Sequence, residues 1–136
     1  MKKIISVLLV ALAIILSSFA GCINTDGVAA KNGDTVVLTV ESTVADGTTL
    51  ADYMSTIKGG EALTSFTFEG GMLTEINNMK ASGSTYWMLY TDDAEFSNAD
   101  WGVVVVDGVT YYSATLGAES LVVKGGCTYI WQAQTF

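Results

Sequence analysis

The residues of this sequence that could do acid–base or metal chemistry are concentrated after one aromatic strand. Four acids, Asp92, Asp93, Glu95 and Asp100, follow the run YWMLY at residues 86–90. Carboxylates gathered in a loop are typical Ca²⁺ ligands, but an EF-hand loop also needs oxygen ligands at fixed alternate positions around a central glycine. Because the segment lacks that pattern, the sequence favours a solvated acidic loop and predicts no metal site.

Catalysis finds little support among the residue types. The chain has no histidine, which excludes Ser-His and Cys-His dyads and imidazole metal sites. The spacing of its fourteen acids singles out no carboxylate pair. The Gly70-Gly71 pair lacks the third spaced glycine and the following helix of a cofactor-cradling loop, so it is more typical of a tight hairpin. We therefore expect no catalytic residue, no enzyme activity and no cofactor.

Large aromatic and apolar side chains are the other candidates for chemistry, through contact with a ligand. Strand alternation puts Tyr86, Met88 and Tyr90 on one face and Trp87 and Leu89 on the other. A strand that is apolar on both faces is expected to be central or covered, with Trp87 in the core. Packing in the interior is the commoner role of such residues, and ligand contact is the alternative. The candidate ligand-binding residues are Met88, Tyr90, Trp101 and Tyr112.

The N-terminal residues have the pattern of a bacterial lipoprotein signal peptide. Lys2 and Lys3 precede an uncharged apolar stretch, and small residues then lead to Cys22. This pattern is typical of a cleaved signal rather than of a permanent membrane span. We expect residues 1–21 to be removed and Cys22 to carry a lipid that anchors an extracytoplasmic protein to the bacterial cell membrane. The alternative is an ordinary secretory signal followed by a chance cysteine.

Charge and cysteine content restrict the possible partners. Residues 22–136 hold four lysines, no arginine and fourteen acids, a net charge of −10. Phosphates and anionic headgroups repel such a surface, so we expect no nucleic-acid partner and a membrane contact made only through the lipid. A lipidated Cys22 leaves Cys127 as the only thiol, so we expect no internal disulfide and a buried, unpaired Cys127.

One short helix is predicted in the segment TLADYMSTIKGG, residues 49–60. Thr49 and Asp52 have the spacing of a capping box, and Gly59 stands where a left-handed C-terminal cap belongs. The spacing i, i+3, i+4, i+7 forms one apolar stripe, made of Leu50, Tyr53, Met54 and Ile57.

The remaining elements are predicted strands, preceded by a linker at residues 22–34. The segment TVVLTVE, residues 35–41, alternates with Val36, Leu38 and Val40 inward. Hairpins are predicted around Gly70-Gly71 and Asp107-Gly108. The last strand, CTYIWQAQT, alternates in a way that suits a sheet covered on one side. Together these elements predict one α+β domain over residues 35–136, with one short helix on a curved, mostly antiparallel sheet.

Several ordered motifs resemble a known family. They are TLADYMSTIK, FEGGMLTEINN, YWMLYTDD, LGAESLVVKGG and YIWQAQTF. Together they resemble the DUF4430 domain, which is related to the C-terminal β-domain of transcobalamin and intrinsic factor. The family's Tyr-Trp strand matches Tyr86-Trp87 and its final Tyr-x-Trp matches Tyr129 and Trp131, whereas the usual Ile-Asn-Gly is here Ile76-Asn77-Asn78. The resemblance implies a β-grasp-like fold.

Two functions remain open from the sequence. In the vitamin carriers, the surface around the Tyr-Trp strand and its following loop lies against the corrinoid. The resemblance therefore implies an extracytoplasmic ligand-binding module, with a corrinoid as the possible ligand. The carriers also have a large helical domain for which this chain has no room, so tight binding would need a membrane-protein partner or a dimer. The alternative is a surface protein-interaction or adhesion module without a small-molecule ligand.

Overall fold

The computed structural model describes residues 28–32, 34–60 and 63–136, and every structural statement refers to these residues. Nine strands, one α-helix and a 3-10 turn follow one another along this part of the chain. The turn is Ala94–Phe96, the helix is α1 (Leu50–Ile57), and the strands are β1 (Val28–Asn32), β2 (Thr35–Thr39), β3 (Phe66–Glu69), β4 (Met72–Ile76), β5 (Met79–Lys80), β6 (Thr85–Thr91), β7 (Ser97–Val106), β8 (Val109–Ala114) and β9 (Thr128–Thr135).

Two antiparallel sheets contain all nine strands. The larger has the order β1-β2-β9-β6-β8-β7, and the smaller has the order β3-β4-β5. The last strand, β9, lies between β2 and β6, so the two ends of the domain pair in the centre of the large sheet. The predicted α+β class, mostly antiparallel with one short helix, is confirmed.

The front face of the large sheet, defined by the side chains of Val36, Leu38, Trp87, Leu89 and Trp131, carries the main core. These side chains are buried, and they pack against buried residues of α1 and of the small sheet. Polar contacts join the layers, since the Trp87 indole N–H donates to the Met79 carbonyl at 3.1 Å. The prediction that Val36, Leu38 and Val40 of the segment 35–41 face inward is confirmed. The prediction that Trp87 is a core residue is confirmed as well.

Helix α1 forms as its sequence predicts. The Thr49 hydroxyl accepts a hydrogen bond from the Asp52 backbone N–H at 3.2 Å, which satisfies one of the free donors of the first turn. Three residues of the predicted stripe, Leu50, Tyr53 and Met54, are buried. Gly59 has a φ of +97°, the left-handed conformation expected just beyond the helix.

Three two-residue turns connect neighbouring strands. Gly70-Gly71 joins β3 to β4 and Asp107-Gly108 joins β7 to β8, with a positive φ at all four residues. Both predicted hairpins are therefore confirmed. The Asn77-Asn78 pair has φ values of +51° and +65° and joins β4 to β5, so asparagine here adopts the left-handed backbone that glycine usually supplies.

Part of the back face of the large sheet is also covered, which corrects the prediction for the last strand. A second cluster on this face consists of Tyr90, Val104, Tyr111 and Ile130. Ile130 and Thr128 have no exposed surface, although alternation places both opposite the main core. The sheet is covered on both sides in this region because the β7–β8 hairpin brings Val104 and Tyr111 against β6 and β9.

The N-terminal region differs from its prediction where the structure describes it. Residues Val28–Asn32 of the predicted linker form β1, which pairs with β2 over five residues. The predicted signal peptide and Cys22 lie outside the described residues. Within the described part of the chain, no helix has the length and apolar character needed to cross a membrane.

Cys127 is fully buried, as predicted, but the prediction that it is unpaired is wrong. Cys127 is disulfide-bonded. The chain has one other cysteine, Cys22, which lies outside the described residues.

Candidate functional site

Exposed apolar side chains are concentrated on the β7–β8 hairpin. The exposed fractions are 64% for Trp101, 55% for Val103, 64% for Val105 and 39% for Tyr112. We call these four residues the hairpin patch. Single exposed apolar residues are ordinary on protein surfaces, whereas several on one element mark a candidate contact surface.

The register of the hairpin determines which of its residues face solvent. Val103 lies opposite Tyr112 and Val105 lies opposite Thr110. Directly opposed residues share a face, so Val103, Val105 and Tyr112 lie together on the front face of the sheet. The main core does not extend over this hairpin, since Val103, Val105 and Tyr112 all stay exposed.

A break in the register of β7 positions Trp101. Asn98 pairs with Ser113 and Val103 pairs with Tyr112, so four residues of β7, numbered 99–102, lie opposite no residue of β8. Gly102 has a φ of +146°, and a Cβ at this position would lie 3.7 Å from Cε1 of Tyr90. The bulge therefore packs against Tyr90, with Trp101 exposed at its surface.

The four ligand-binding residues predicted from the sequence do not form one surface. Tyr90 is 7% exposed and packs in the cluster on the back face, and Met88 is partly buried against the same cluster. Burial raises the pKa of the Tyr90 hydroxyl. Tyr112 lies on the opposite face, because it is Ser113 that pairs with Tyr90. The structure thus leaves Trp101 and Tyr112 exposed, buries Tyr90 and partly buries Met88.

The first two acids after β6, Asp92 and Asp93, form hydrogen bonds within the fold. Asp93 is 1% exposed. One oxygen, Oδ1, accepts from the Glu95 backbone N–H at 3.0 Å and from the Lys124 ammonium at 3.4 Å, and Oδ2 accepts from the Tyr129 hydroxyl at 3.5 Å. The Asp93 side chain therefore joins the end of β6 to β9 and to the loop that carries Lys124.

Asp92 makes a corresponding link to β9. Its carboxylate accepts the backbone N–H of Thr128 at 2.8 Å. Burial raises the pKa of Asp92, and the hydrogen bond from Thr128 opposes that rise only in part. The prediction of a solvated loop is therefore wrong for Asp92 and Asp93, whereas Asp100 is exposed. In the described residues, no three His, Cys, Asp or Glu side chains are grouped so that they could hold a metal ion.

A cavity of about 530 Å³, which the sequence did not predict, lies between three loops at one end of the sheet. Asp46, Glu95 and Lys124 are its charged lining residues. The Lys124 Nζ lies 3.7 Å from Glu95 Oε2 and 3.4 Å from Asp93 Oδ1, so two acids already pair with the cation. The one residue in the sequence that points to this cavity is Gly125. A Cβ at this position would approach Ser42 Cα at 3.0 Å, so the two loops that carry Gly125 and Ser42 could not pack as closely with a larger residue. We assign no ligand to this cavity.

Comparison of the chain with protein-family models, with curated proteins and with solved structures found no match.

Proposed function

We propose that this protein is a membrane-anchored extracytoplasmic module that binds a partner protein through the hairpin patch. The observation that carries the proposal is the exposure of Trp101, Val103, Val105 and Tyr112 on one hairpin of a chain that is otherwise strongly acidic. Covering such side chains removes apolar surface from water, at roughly 25 cal/mol per Å². Large aromatic residues at the centre of an interface often supply most of the binding energy.

The support of the hairpin suits a binding surface. Val104 and Tyr111 anchor the hairpin from its buried face, while Val103, Val105 and Tyr112 stay exposed on the other. A partner would therefore meet side chains on a paired, packed element and would have little ordering entropy to overcome.

The membrane anchor is part of the proposal. We propose that residues 1–21 are a signal peptide and that Cys22 carries a diacylglyceryl group, which would hold the domain at the outer side of the cell membrane. The thioether to this group uses the Cys22 sulfur, so the proposal requires that Cys127 does not form its disulfide with Cys22 in the anchored protein. The resemblance to the DUF4430 domain and a β-grasp-like fold belong to the same proposal and rest on the sequence motifs. A membrane-bound partner would be available to a domain anchored in this way.

A photocrosslinking experiment tests the partner-binding proposal. p-Benzoylphenylalanine would replace Val105 in the patch and, as a matched control, Met72, which is 56% exposed on the β3–β4 hairpin. Irradiation of cells should give one discrete adduct from position 105 and none from position 72. Equal adducts from both positions, or none from position 105, would contradict the proposal.

Corrinoid binding is the second candidate, because two of the four predicted contact residues, Trp101 and Tyr112, are exposed. Without Met88 and Tyr90 the contact would be limited to the hairpin, so we expect micromolar affinity, about 8 kcal/mol of binding free energy. No histidine is available to ligate cobalt. Calorimetry of the full chain with cobinamide should give binding that Trp101→Ala weakens, and no heat at millimolar cobinamide would exclude this candidate.

A further inference from the structure

Strand β7 forms one edge of the large sheet. It pairs with β8 and, within the described residues, has no strand on its other side. An edge strand presents unpaired backbone N–H and C=O groups, which can accept the strand of another chain. The edge thus offers a kind of contact beyond the side chains of the hairpin patch.

The hairpin turn determines which backbone groups face this open edge. In a two-residue hairpin the pair that flanks the turn, here Val106 and Val109, exchanges backbone hydrogen bonds, and the hydrogen-bonded pairs then alternate along the ladder. The backbone groups of Val106 and Val104 therefore point toward β8. Those of Val103 and Val105 point away from it, so two N–H donors and two C=O acceptors face outward.

Features that keep an edge strand from pairing with another chain occur only in the first half of β7. The bulge at residues 99–102 interrupts the first half, but residues 103–106 pair regularly with β8. The second half contains no lysine, and the chain contains no proline. Four consecutive valines instead give this half high β-propensity and two exposed apolar side chains.

Charge identifies the kind of strand that fits. The exposed residues Asp100 and Asp107 flank the valine segment on either side, and no lysine or arginine occurs between Lys80 and Lys124. A second copy of this chain would place like charges beside each other, and each mature chain carries a net charge of −10. An apolar strand with basic residues at its two ends would pair with both acids.

We propose that residues 103–106 of β7 accept an extended segment of the partner by strand addition, and that this segment has apolar residues at alternate positions and lysine or arginine at its ends. The inference rests on the proposed function, because it specifies how the hairpin patch meets its partner. Strand addition supplies backbone hydrogen bonds, and the exposed valines and Tyr112 would supply contacts to alternate side chains.

Amide hydrogen exchange of the full chain, purified in detergent, tests the proposal. The probe is the peptide Lys-Val-Thr-Val-Thr-Val-Lys, and the matched control replaces both lysines with glutamate. The basic peptide should slow exchange at the Val103 and Val105 amides at least tenfold and leave Val104 and Val106, already bonded to β8, nearly unchanged. The acidic peptide should bind at least fivefold more weakly. No added protection at millimolar basic peptide would overturn the proposal.

Backbone substitutions separate strand pairing from side-chain contact. Val105→Pro removes one outward N–H and should weaken peptide binding at least twentyfold, whereas Val105→Thr keeps the N–H and should weaken it about threefold. If Val105→Pro lowers the melting temperature, a peptide N-methylated at alternate residues replaces it. That peptide should not bind, and equal binding of the methylated and unmethylated peptides would overturn strand addition.

The outcomes distinguish this inference from the proposed function. A position-105 crosslink without protection of the Val103 and Val105 amides would leave the partner-binding function standing and overturn strand addition. If the position-105 crosslink and the amide protection are both absent, the partner-binding function and strand addition are both overturned. Protection that appears when the chain alone is concentrated would identify a second copy as the occupant and would overturn the basic-strand proposal.

Discussion

The Tyr129 hydroxyl supports the end of the large sheet, and we expect Tyr129→Phe to destabilise the domain. This hydroxyl accepts the Lys124 backbone N–H at 3.0 Å and donates to Asp93 Oδ2 at 3.5 Å, and Tyr129 has no exposed surface. Burial raises the pKa of Tyr129, so its proton stays available to Asp93 at every physiological pH. Phenylalanine keeps the ring and removes both hydrogen bonds.

The expected loss follows from the groups left without a partner. The substitution removes an acceptor from the Lys124 N–H and a donor from the buried Asp93 carboxylate. Leaving buried polar groups unsatisfied costs about 1–3 kcal/mol, so we expect the free energy of unfolding to fall by about 2 kcal/mol. For a domain of this size the melting temperature should fall by about 8 °C.

Thermal and urea denaturation of the full chain, followed by circular dichroism, would measure this loss. Tyr112→Phe is the matched control, because it removes the same hydroxyl from a side chain that is 39% exposed. We expect the control to change stability by less than about 0.5 kcal/mol. A Tyr129→Phe loss no larger than that of the control would refute the role given to this hydroxyl.

The remaining predictions concern the anchor, the acidic segment and the helix. Cys22→Ser should move the protein out of the membrane fraction or leave an unprocessed precursor. The sulfur of a lipidated Cys22 is held in a thioether, so an internal disulfide between Cys22 and Cys127 in protein from wild-type membranes would contradict the anchor. Asp92→Asn should stabilise the domain at pH 7, because burial raises the pKa of Asp92 in the folded state and thus makes its charge unfavourable. The gain should shrink as the pH falls and both states of wild-type Asp92 become protonated, so a gain in denaturation midpoint that is independent of pH would exclude this cause. Thr49→Ala should cost about 1 kcal/mol in urea denaturation through loss of the helix cap, whereas Thr49→Asp should cost little; equal losses from both would show that the cap contributes nothing.

Residues whose structure depends on near neighbours were predictable from the sequence. Helix α1 follows from the capping pair Thr49 and Asp52 and from an apolar stripe with helical spacing. The hairpin turn at Asp107-Gly108 follows from two residues that tolerate a positive φ. These signals lie within a few residues of one another, so local conformational preferences are enough to determine them.

The candidate site depended on register, which local preferences leave open. Alternation within β6 predicts that Tyr90 and Met88 share a face. The face on which Tyr112 lies, however, depends on the register between β8 and β6, which places Tyr112 opposite Thr91. The bulge at residues 99–102 breaks the alternation within β7, so the exposure of Trp101 and the valines cannot be counted from the start of the strand.

The sequence by itself was enough to predict the short helix, the hairpin turns and the inward face of β2. Only the tertiary structure decided that the partly buried Asp92 and the buried Asp93 join β6 to β9 rather than lie in a solvated loop, because their partners, Thr128 and Tyr129, are more than thirty residues away. Only the tertiary structure decided that the first half of β9 is covered on both faces. Burial and hydrogen bonding at these positions arise from contacts between distant strands, and local sequence preferences do not specify which strands will meet.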